Sequence, residues 1–389
     1  MRNLVTIQTI KSLDPIPEKD RIVLAKFENV DWQVIVDKSY TVGETVVYCE
    51  YDTVLPPVPQ FEFLRNRCWN SKWNGFRITN MKMAGVYSQG IVFHISEVLI
   101  NSAHPSYAYK DGNDVTELIG AVKYDPESLV EQSQTQQKKY GPIMRRLLKI
   151  KFIRNLLYSK KKSNSWPTWI SKTDETRVQV LSYVYDNMKG VQVYVTEKVD
   201  GQSATYAVRK KRFYVCSRNL VQPTPKMIHG KYQTSSNFWF TATKYQIEKK
   251  LKIASKKWKS DLYIQGEQIG PGIQGNKYKL TDIQFRLFNV YSLKDKRYFD
   301  FDELLDFSRE TEIPMVPVIE VKIFDWQNVD ELLEYSKGVS ILDSPVHPLR
   351  EGIVIRSCVS KPPMDKMSNM TSFKVINPDF DLKYSKSSE

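Results

Sequence analysis

The sequence predicts an α+β protein that begins with a small all-β barrel and continues with a larger antiparallel α+β domain. Short strand-like segments dominate the first ~100 residues, a basic stretch without clear periodicity follows, and strands mixed with helices fill the rest. The chain has 389 residues, enough for two separate hydrophobic cores. We expect a barrel domain at 1–120, a basic connector or insertion at 121–169, and the larger domain at 170–389. In the larger domain we expect a helix start at Thr173 or Asp174 and helices at SNFWFTATKYQIEKKLKIA (236–254), FDFDELLDFSRET (299–311) and NVDELLEYSKG (328–338).

The amino-terminal segments alternate in hydrophobicity and are separated by turns. The clearest strand signals are RIVLAKFENV, DWQVIVD, TVVYCEYDTVL and FRITNMKMAGVYSQGIVFHI. Many short strands with almost no helix signal favour a barrel of the oligonucleotide/oligosaccharide-binding (OB) type, although a tRNA-binding-like barrel or a β-sandwich also fits. Basic and aromatic residues mix at 61–78. They either stack on bases and pair with phosphates, or pack inward to cap the barrel.

The net charge of +13 is concentrated in one segment. Residues 132–173 contain 11 Lys or Arg and no Asp or Glu. Such a segment favours binding to phosphate backbones or to an anionic membrane surface. Its cations do not collect on one helical face, which favours a basic excursion over nucleic acid rather than a membrane helix. A partly disordered insertion is the alternative.

Cysteine usage and hydropathy indicate an intracellular, cytoplasmic protein. The four cysteines form no CxxC pair, and the four histidines lack ligand spacing, so neither set predicts a zinc site. No apolar run approaches ~18 residues, and the amino terminus lacks a signal-peptide core. We therefore expect no membrane anchor.

A lysine ends a strand-like segment in the sequence TEKVDGQS, residues 196–203. Lys198 is flanked by Glu197 and Asp200, and Gly201 permits close backbone approach. The short pattern is weak evidence alone, because surface hairpins often contain it. Ordered elements downstream add weight: SRN (217–219), QGE (265–267), FRLFNV (285–290), REGIVIR (350–356) and SFKVI (372–376).

This ordered set resembles the covalent nucleotidyltransferase superfamily of polynucleotide ligases and messenger-RNA capping enzymes. Four further segments resemble the Deinococcus-type nick-sealing RNA ligase family: YCEYDTVLPPVPQFEFLRNR, RITNMKMAGVYSQGIVF, DVTELIGAVKYDP and PTWISKTDETRVQ. The likeness covers nearly the whole chain except residues 132–165. It implies an OB domain ahead of an ATP-grasp-like nucleotidyltransferase (ligase) domain. It also implies an ATP-dependent RNA ligase that joins 3′-hydroxyl and 5′-phosphate ends at nicks with RNA on the 3′-hydroxyl side.

By the same resemblance, Lys198 is the nucleophile that attacks the α-phosphate of ATP. A lysine amine must be partly neutral to attack, so positive charge and desolvation must lower its pKa. Lys374, Arg218 and a bound Mg²⁺ or Mn²⁺ are the candidates for that charge. Attack would give lysyl-AMP, AMP would pass to a 5′-phosphate, and the 3′-hydroxyl would then expel AMP.

The other motif residues take roles around the nucleotide. Glu351 would bind the metal, and Lys374 would neutralise the α-phosphate. Arg218 would contact the nucleotide or the incoming 5′-phosphate, and Glu267 the ribose hydroxyls. The remaining cofactor-binding set is Glu197, Asp200, Gly201 and Phe288, with Phe288 stacking on adenine.

Several of these roles have plainer alternatives. Arg218, Glu267 and Glu351 could form a buried ion network, because such networks also perturb charged groups. Asp200 could only hold its loop, and Phe285 or Tyr291 could replace Phe288, since most strand aromatics belong to the core.

One position departs from the ligase pattern. Ile376 stands where many ligases carry a second lysine, and Lys383 lies beyond it. This departure puts the phosphate contacts of the last motif in doubt.

Two other functions compete with the ligase. A capping-type GTP:RNA guanylyltransferase carries its OB domain after the catalytic domain, whereas only 389 − 374 = 15 residues follow Lys374 here. A catalytically inactive RNA-binding relative conflicts with the complete set of charged motif residues. The expected partner is nicked duplex RNA or an RNA-containing hybrid. We expect the protein to bind it as a monomer and not to associate with a membrane.

Overall fold

The structure, a computed structural model of the chain, describes residues 3–99, 109–125, 165–228, 231–233, 236–359 and 372–384. The amino-terminal helices are α1 (Arg65–Cys68), α2 (Ile95–Val98) and α3 (Thr116–Ile119). The strands of this region are β1 (Val5–Pro15), β2 (Ile22–Phe27), β3 (Gln33–Asp37), β4 (Thr45–Glu50), β5 (Thr53–Leu55), β6 (Trp69–Asn70), β7 (Gly75–Arg77), β8 (Met81–Met83), β9 (Val86–Ser88), β10 (Gly90–His94) and β11 (Val122–Lys123).

Five of these strands form an antiparallel sheet in the order β10-β4-β1-β2-β3. The Gln89 amide donates to the Gln33 carbonyl at 2.9 Å, and the Ile35 amide donates to the Ser88 hydroxyl at 3.1 Å. These bonds join edge strand β3 to the residues just before β10, so the sheet curls into a nearly closed OB-like barrel. The predicted barrel is confirmed.

The basic and aromatic stretch at 61–78 packs inward only in part. Phe76 is fully buried in a core that it shares with apolar side chains of β1, β4 and β10, and the Trp69 ring lies 5.4 Å from it. The Arg65 guanidinium lies 4.2 Å from the Trp69 ring centroid, and buried Arg77 contacts Asp52. The inward-packing alternative therefore describes Phe76 and Arg77.

The second region mixes helices with longer strands. Its helices are α4 (Val184–Asn187), α5 (Asn237–Lys244), α6 (Ile247–Lys257), α7 (Phe301–Thr311), α8 (Val329–Ser336) and α9 (Pro378–Tyr384). Its strands are β12 (Gln192–Lys198), β13 (Gln202–Arg209), β14 (Arg212–Cys216), β15 (Lys226–Ile228), β16 (Lys231–Gln233), β17 (Leu262–Ile269), β18 (Gln284–Ser292), β19 (Arg297–Tyr298), β20 (Val318–Ile323), β21 (Gly352–Ser357) and β22 (Ser372–Ile376).

Two antiparallel sheets organise this region, in the orders β20-β12-β21-β22 and β14-β13-β17-β18-β19. Apolar side chains of α5, α6 and α7 pack with one face of the five-stranded sheet around Tyr206, Ile264 and Phe285. The four-stranded sheet has its own core, which includes Val195, Ile355 and Phe373. The predicted α+β class and the antiparallel sheets are confirmed.

Two local expectations from the sequence need correction. The long apolar segment 236–254 was expected to be one helix, but Gln246 adopts a φ of 51° and divides it into α5 and α6. The expected helix start at Thr173 or Asp174 is wrong, because residues 171–176 are irregular. The Asp174 carboxylate contacts cations instead of capping a helix.

Most of the basic segment 132–173 lies outside the described residues, so its expected structure stays a prediction. Among the described residues, no helix is long and apolar enough to cross a membrane.

Candidate active site

A cavity of about 370 Å³ lies where β12 and β21 of one sheet face β13, β17 and β18 of the other. The amino-terminal region contributes to the same cavity through Asp52, Arg77 and Lys123, which lie outside the five barrel strands. Every site residue predicted from the sequence lines it: Glu197, Lys198, Asp200, Gly201, Arg218, Glu267, Phe288, Glu351 and Lys374. The strand register therefore assembles one pocket from segments far apart in sequence.

Lys198 ends β12 directly opposite Gly352 of β21, which places it beside Glu351. Its Nζ lies 2.5 Å from the Glu351 Oε1, and its side chain remains 25% exposed, so substrate can reach it. Burial alone would lower the pKa of Lys198, but the carboxylates of Glu351, Glu267 and Asp200 outweigh it and raise the pKa. The expected lowering by nearby cations is therefore not present in this arrangement.

Asp200 stabilises the loop that follows the lysine. Its carboxylate contacts the Lys277 Nζ at 2.5 Å, and its amide donates to the Tyr278 hydroxyl at 2.8 Å. Burial and the Glu351 charge raise the pKa of Asp200 to about 6, although Lys277 opposes them. These contacts favour the alternative in which Asp200 holds the loop. Lys277 was missed because its loop, GPGIQGNKYK, carries no periodic signal.

Asp174 gathers three cations at another wall of the pocket. Its carboxylate lies 2.7 Å from the Lys123 Nζ, 3.0 Å from the Arg218 Nη2 and 3.3 Å from the Lys374 Nζ. Burial would raise the pKa of Asp174, but these cations together lower it well below its usual range. Three converging cations can also bind a phosphate. Sequence reasoning gave no role to Asp174 or Lys123, although both lie in segments that resemble the Deinococcus-type ligase family.

Glu197 is fully buried and makes contacts inside the protein. Its carboxylate accepts hydrogen bonds from the Ser340 hydroxyl at 2.6 Å and the Ile341 amide at 2.8 Å. Burial raises the pKa of Glu197 despite these bonds. The arrangement favours a positioning role for Glu197 over the direct cofactor contact predicted from the sequence.

The three aromatic candidates of β18 lie in different surroundings. Phe285 is fully buried in the main core, and Tyr291 stacks on Tyr263, whereas Phe288 lines the pocket. The Arg356 guanidinium lies 5.6 Å from the Phe288 ring centroid. Among the three aromatic candidates, Phe288 is therefore the one placed to stack on a base.

Gly201 is required by packing between strands. A Cβ at this position would lie 2.2 Å from the Gln268 carbonyl oxygen and 2.9 Å from the Glu267 Cγ. The absence of a side chain therefore lets β13 approach β17 and places Glu267 at the pocket.

The missing second lysine of the last motif is not replaced by Lys383. Ile376 lines the pocket, whereas Lys383 is exposed and is not among the lining residues. Lys277 and Lys123 instead add positive charge to the pocket walls.

The donor chemistry of the pocket fits a divalent cation. Among the described residues, no three His, Cys, Asp or Glu side chains form a complete metal cluster. Glu351, Glu267 and Asp200 nevertheless supply carboxylate oxygens to one cavity. Mg²⁺ commonly uses one or two carboxylates together with substrate phosphates and water. The residues therefore fit a metal that protein and nucleotide bind jointly.

Comparisons with known proteins agree with this architecture. Residues 191–376 match the RNA ligase family model, and residues 4–95 match an OB-fold domain model. No curated protein sequence matches the chain.

Solved structures of Naegleria gruberi RNA ligase share the fold. A mutant with AMP and Mn is 23% identical, with a TM-score of 0.76 and coverage of 99% of each chain. The enzyme with PPi is also 23% identical, with a TM-score of 0.76 over 99% of this chain and 100% of that one. A mutant with ATP and Mn gives 23% identity and a TM-score of 0.75, covering 99% of this chain and 98% of that one.

The chain therefore shares the fold of these solved RNA ligases, an OB-like barrel followed by two antiparallel sheets around a lysine pocket. Residues 191–376 match the RNA ligase family model, in agreement with the resemblance inferred from the ordered motifs.

Proposed function

We propose that this protein is an ATP-dependent RNA ligase. It joins a 3′-hydroxyl end to a 5′-phosphate end at nicks in duplexes that carry RNA on the 3′-hydroxyl side. The observation that carries the proposal is the position of Lys198, which reaches a pocket containing Glu351, Glu267 and Phe288. A nucleophile, carboxylates for metal and ribose, and an aromatic face for a base are the groups that nucleotide transfer needs.

In the first step, the neutral Lys198 amine attacks the α-phosphorus of ATP. A nitrogen–phosphorus bond forms, the bond to the β-phosphate oxygen breaks, and pyrophosphate leaves. The nitrogen then loses one of its two protons, which Glu351 at 2.5 Å is placed to accept. Lys374 and Arg218 are placed to offset phosphate charge once a phosphate competes with Asp174 for them.

In the second step, a 5′-phosphate oxygen attacks the AMP phosphorus, and the lysine nitrogen leaves and regains a proton. In the third step, the 3′-hydroxyl attacks the 5′-phosphorus, loses its proton, and expels AMP. Phe288 and Glu267 bind the adenosine throughout. A divalent cation bound at Glu351 would neutralise phosphate charge as it develops.

We propose that the amino-terminal region recognises the nicked duplex. Lys123, Arg77 and Asp52 of the amino-terminal region line the same cavity as Lys198. An A-form duplex displays 2′-hydroxyls in a wide, shallow groove, which a surface beside the pocket can recognise by shape. We propose that the protein acts on this duplex as a monomer.

The direct test is covalent labelling with each α-labelled nucleoside triphosphate and magnesium. The proposal predicts that the protein becomes labelled by ATP and that the label survives denaturation. The label should leave the protein when a 5′-phosphorylated nick is added. Label from GTP alone would assign the chain to the capping class, and no label from any nucleotide would indicate an inactive relative.

A second test addresses the strand preference. Deoxynucleotides at the terminal positions of the 3′-hydroxyl strand should slow sealing, whereas a DNA 5′-phosphate strand should change it far less. Equal sealing of an all-DNA nick contradicts the RNA assignment and leaves the ligase class intact.

A further inference from the structure

Three turns meet at the end of the five-stranded sheet that points away from the nucleotide pocket. They connect β13 to β14 (210–211), α6 to β17 (258–261), and β18 to β19 (293–296). The Lys210 amide donates to the Asp261 carboxylate at 3.0 Å, and the Leu293 amide donates to the Asp261 carbonyl at 3.0 Å. The Lys294 amide donates to the Ser260 hydroxyl at 3.1 Å. The three turns therefore form one hydrogen-bonded surface.

This surface carries a dense set of cations, which we name the turn cluster: Lys210, Lys211, Arg212, Lys256, Lys259, Lys294 and Lys296. All seven are exposed, and none forms an ion pair with another described residue. The nearby carboxylates of Asp261 and Asp295 accept local bonds from the Lys210 amide and the Ser292 hydroxyl. Lys257 and Arg297, by contrast, contact Glu310 and Glu303 and are not members.

Four cluster lysines occupy backbone positions that do not suit lysine. Lys210 and Lys211 have φ values of 49° and 64°, and they form a two-residue hairpin loop between paired Arg209 and Arg212. Lys259 and Lys296 have φ values of 51° and 54°. Such left-handed conformations favour Gly, Asn or Asp, because a Cβ crowds the backbone there. Lysine at all four positions provides charge where a neutral residue would be conformationally easier.

Cations paired with aromatic rings lie between the pocket and the turn cluster. The Lys172 Nζ donates to the Arg218 carbonyl at 3.0 Å and lies 4.6 Å from the Trp166 ring centroid. The Arg209 guanidinium lies 4.8 Å from the Trp169 ring. Within the turn cluster itself, the Arg212 guanidinium lies 5.1 Å from the Tyr214 ring. Strand β13 covers the distance from Ser203 in the pocket to Arg209 in six steps of ~3.3 Å, about 20 Å.

We propose that the turn cluster binds the phosphate backbone of one duplex arm beside the nick, about 20 Å from the reacting ends. This inference rests on the proposed function and identifies a substrate-binding surface outside the pocket. Duplex RNA presents regularly spaced phosphates. Binding of exposed cations to these phosphates is favoured because it releases the counterions of the RNA. Arg209, Lys172 and Arg218 make the positive surface continuous with the site of chemistry.

The test uses a full-length variant that carries Lys210→Asn, Lys211→Gly, Lys259→Asn and Lys296→Asn. Asn and Gly accept a positive φ, so the variant should melt at or above the wild-type Tm. We expect its Kd for a nicked RNA duplex to rise about tenfold or more in ~0.1 M salt, because up to four phosphate contacts are lost. The slope of log Kd against log salt should flatten by about 0.9 per lost contact. Labelling by ATP alone should be unchanged.

The matched control neutralises four exposed lysines that each have an acidic residue nearby in sequence, by Lys19→Gln, Lys38→Gln, Lys189→Gln and Lys249→Gln. This control should keep the wild-type affinity and salt slope. An equal loss in the control would show that total charge matters and would overturn the assignment to the turn cluster.

Shortening one duplex arm tests the position of the contact. Wild-type affinity should fall to that of the variant once the arm is too short to span about 20 Å, while the variant should not respond to arm length. If the variant with the four substitutions binds RNA as tightly as the wild type, this inference is wrong, but the ligase proposal is unaffected. Absence of both ATP labelling and RNA binding in the wild type overturns both. Loss of binding to phosphatidylserine vesicles without loss of RNA affinity reassigns the cluster to a lipid surface.

Discussion

The pocket and the turn cluster arrange positive charge in opposite ways. In the pocket, Lys198 contacts Glu351 and Lys277 contacts Asp200. Three more cations converge on one carboxylate, that of Asp174. The turn cluster lies at the end of the five-stranded sheet that is far from the pocket. Its seven cations form no ion pair with another described residue.

The difference follows from solvation. A cation in a partly dry pocket is costly unless a carboxylate accompanies it, so the protein supplies partners that a phosphate can later replace. Exposed cations are solvated by water, and adding surface partners would stabilise the fold little. We infer that the pocket exchanges partners during chemistry, whereas the turn cluster is available to a backbone at any time.

The largest effect should come from removing the nucleophile. Lys198→Ala should reduce covalent AMP labelling and nick sealing by at least ~10³-fold, because the amine proposed to form the phosphoramidate is removed. Lys198→Arg should be equally inactive, since an arginine retains the charge but does not deprotonate. Lys279→Ala, at an exposed lysine of a neighbouring loop, is the control and should label normally. Labelling retained in Lys198→Ala would remove the nucleophile assignment.

The second largest effect should come from the carboxylate beside the nucleophile. Glu351→Ala should reduce labelling and sealing about a hundredfold or more through loss of metal binding. Excess manganese should not restore full activity. The control is Glu334→Ala, at an exposed residue outside the pocket whose carboxylate forms an ion pair with Lys337. Wild-type rates in Glu351→Ala would exclude this residue as a metal ligand.

These motif positions could be predicted because strand pairing fixes them. Lys198 lies opposite Gly352, and β21 pairs with β22 so that Val354 lies opposite Lys374. A short apolar segment that ends in a charged residue is readable in sequence, and the antiparallel register then brings such ends together.

The residues that were missed lie in irregular segments or, for Lys123, in a strand of only two residues. Asp174, Lys277 and Lys123 carry no periodic signal, and their ion pairs join positions 51 to 200 residues apart. Asp174 resembled a helix start, yet its contacts with cations override that local preference. The turn cluster could not be predicted from the sequence either, because its cations come from three separate segments that only the sheet brings together.

Removing residues 1–120 should separate the chemistry of the pocket from recognition of the duplex. Every predicted motif residue lies between 197 and 374, so self-adenylation should be largely retained. Sealing should fall severely, because the barrel surface beside the nick is lost. A full-length Asp52→Asn variant tests the same junction without removing a domain. Asp52 forms ion pairs with Arg77 of the amino-terminal region and with Arg177 of the second region. A truncated protein that seals nicks at the full rate contradicts the role of the barrel.

Neutralising the basic segment should have a smaller effect than removing the barrel. Replacement of Arg145, Arg146, Lys149, Lys151 and Arg154 by Gln should weaken RNA binding and flatten its salt dependence. Adenylation by ATP alone should survive. Combining these changes with those in the turn cluster shows whether the two basic surfaces bind the same phosphates, because losses at independent contacts should add. Unchanged affinity and slope would assign the segment another role.

The smallest effect concerns a carboxylate that lacks the pairing seen in the pocket. Asp31 lies where the barrel meets the second region, and its amide donates to the Gln179 carbonyl at 2.7 Å. Its buried Oδ2 has no hydrogen-bond partner. Burial raises the pKa of Asp31 to about 6, although Lys11 opposes the shift and Asp330 adds to it. Nearby cations stabilise the ionised carboxylate of Asp174, whereas ionisation of the Asp31 carboxylate destabilises the folded state.

The sign of the pH dependence follows from that shift. Between pH ~4 and ~6 the folded protein binds more protons at Asp31 than the unfolded chain, so this group's contribution to stability falls as pH rises through that window. It stays low above pH ~6. Asp31→Asn keeps the shape without the charge, so the variant should melt above the wild type at pH 7.5 by a few degrees. The advantage should disappear near pH 4.5, as measured by calorimetry. Asp20→Asn, at an exposed position, should shift Tm little at either pH. An Asp31→Asn advantage that is the same at both pH values would show that ionisation of Asp31 does not limit stability at this junction.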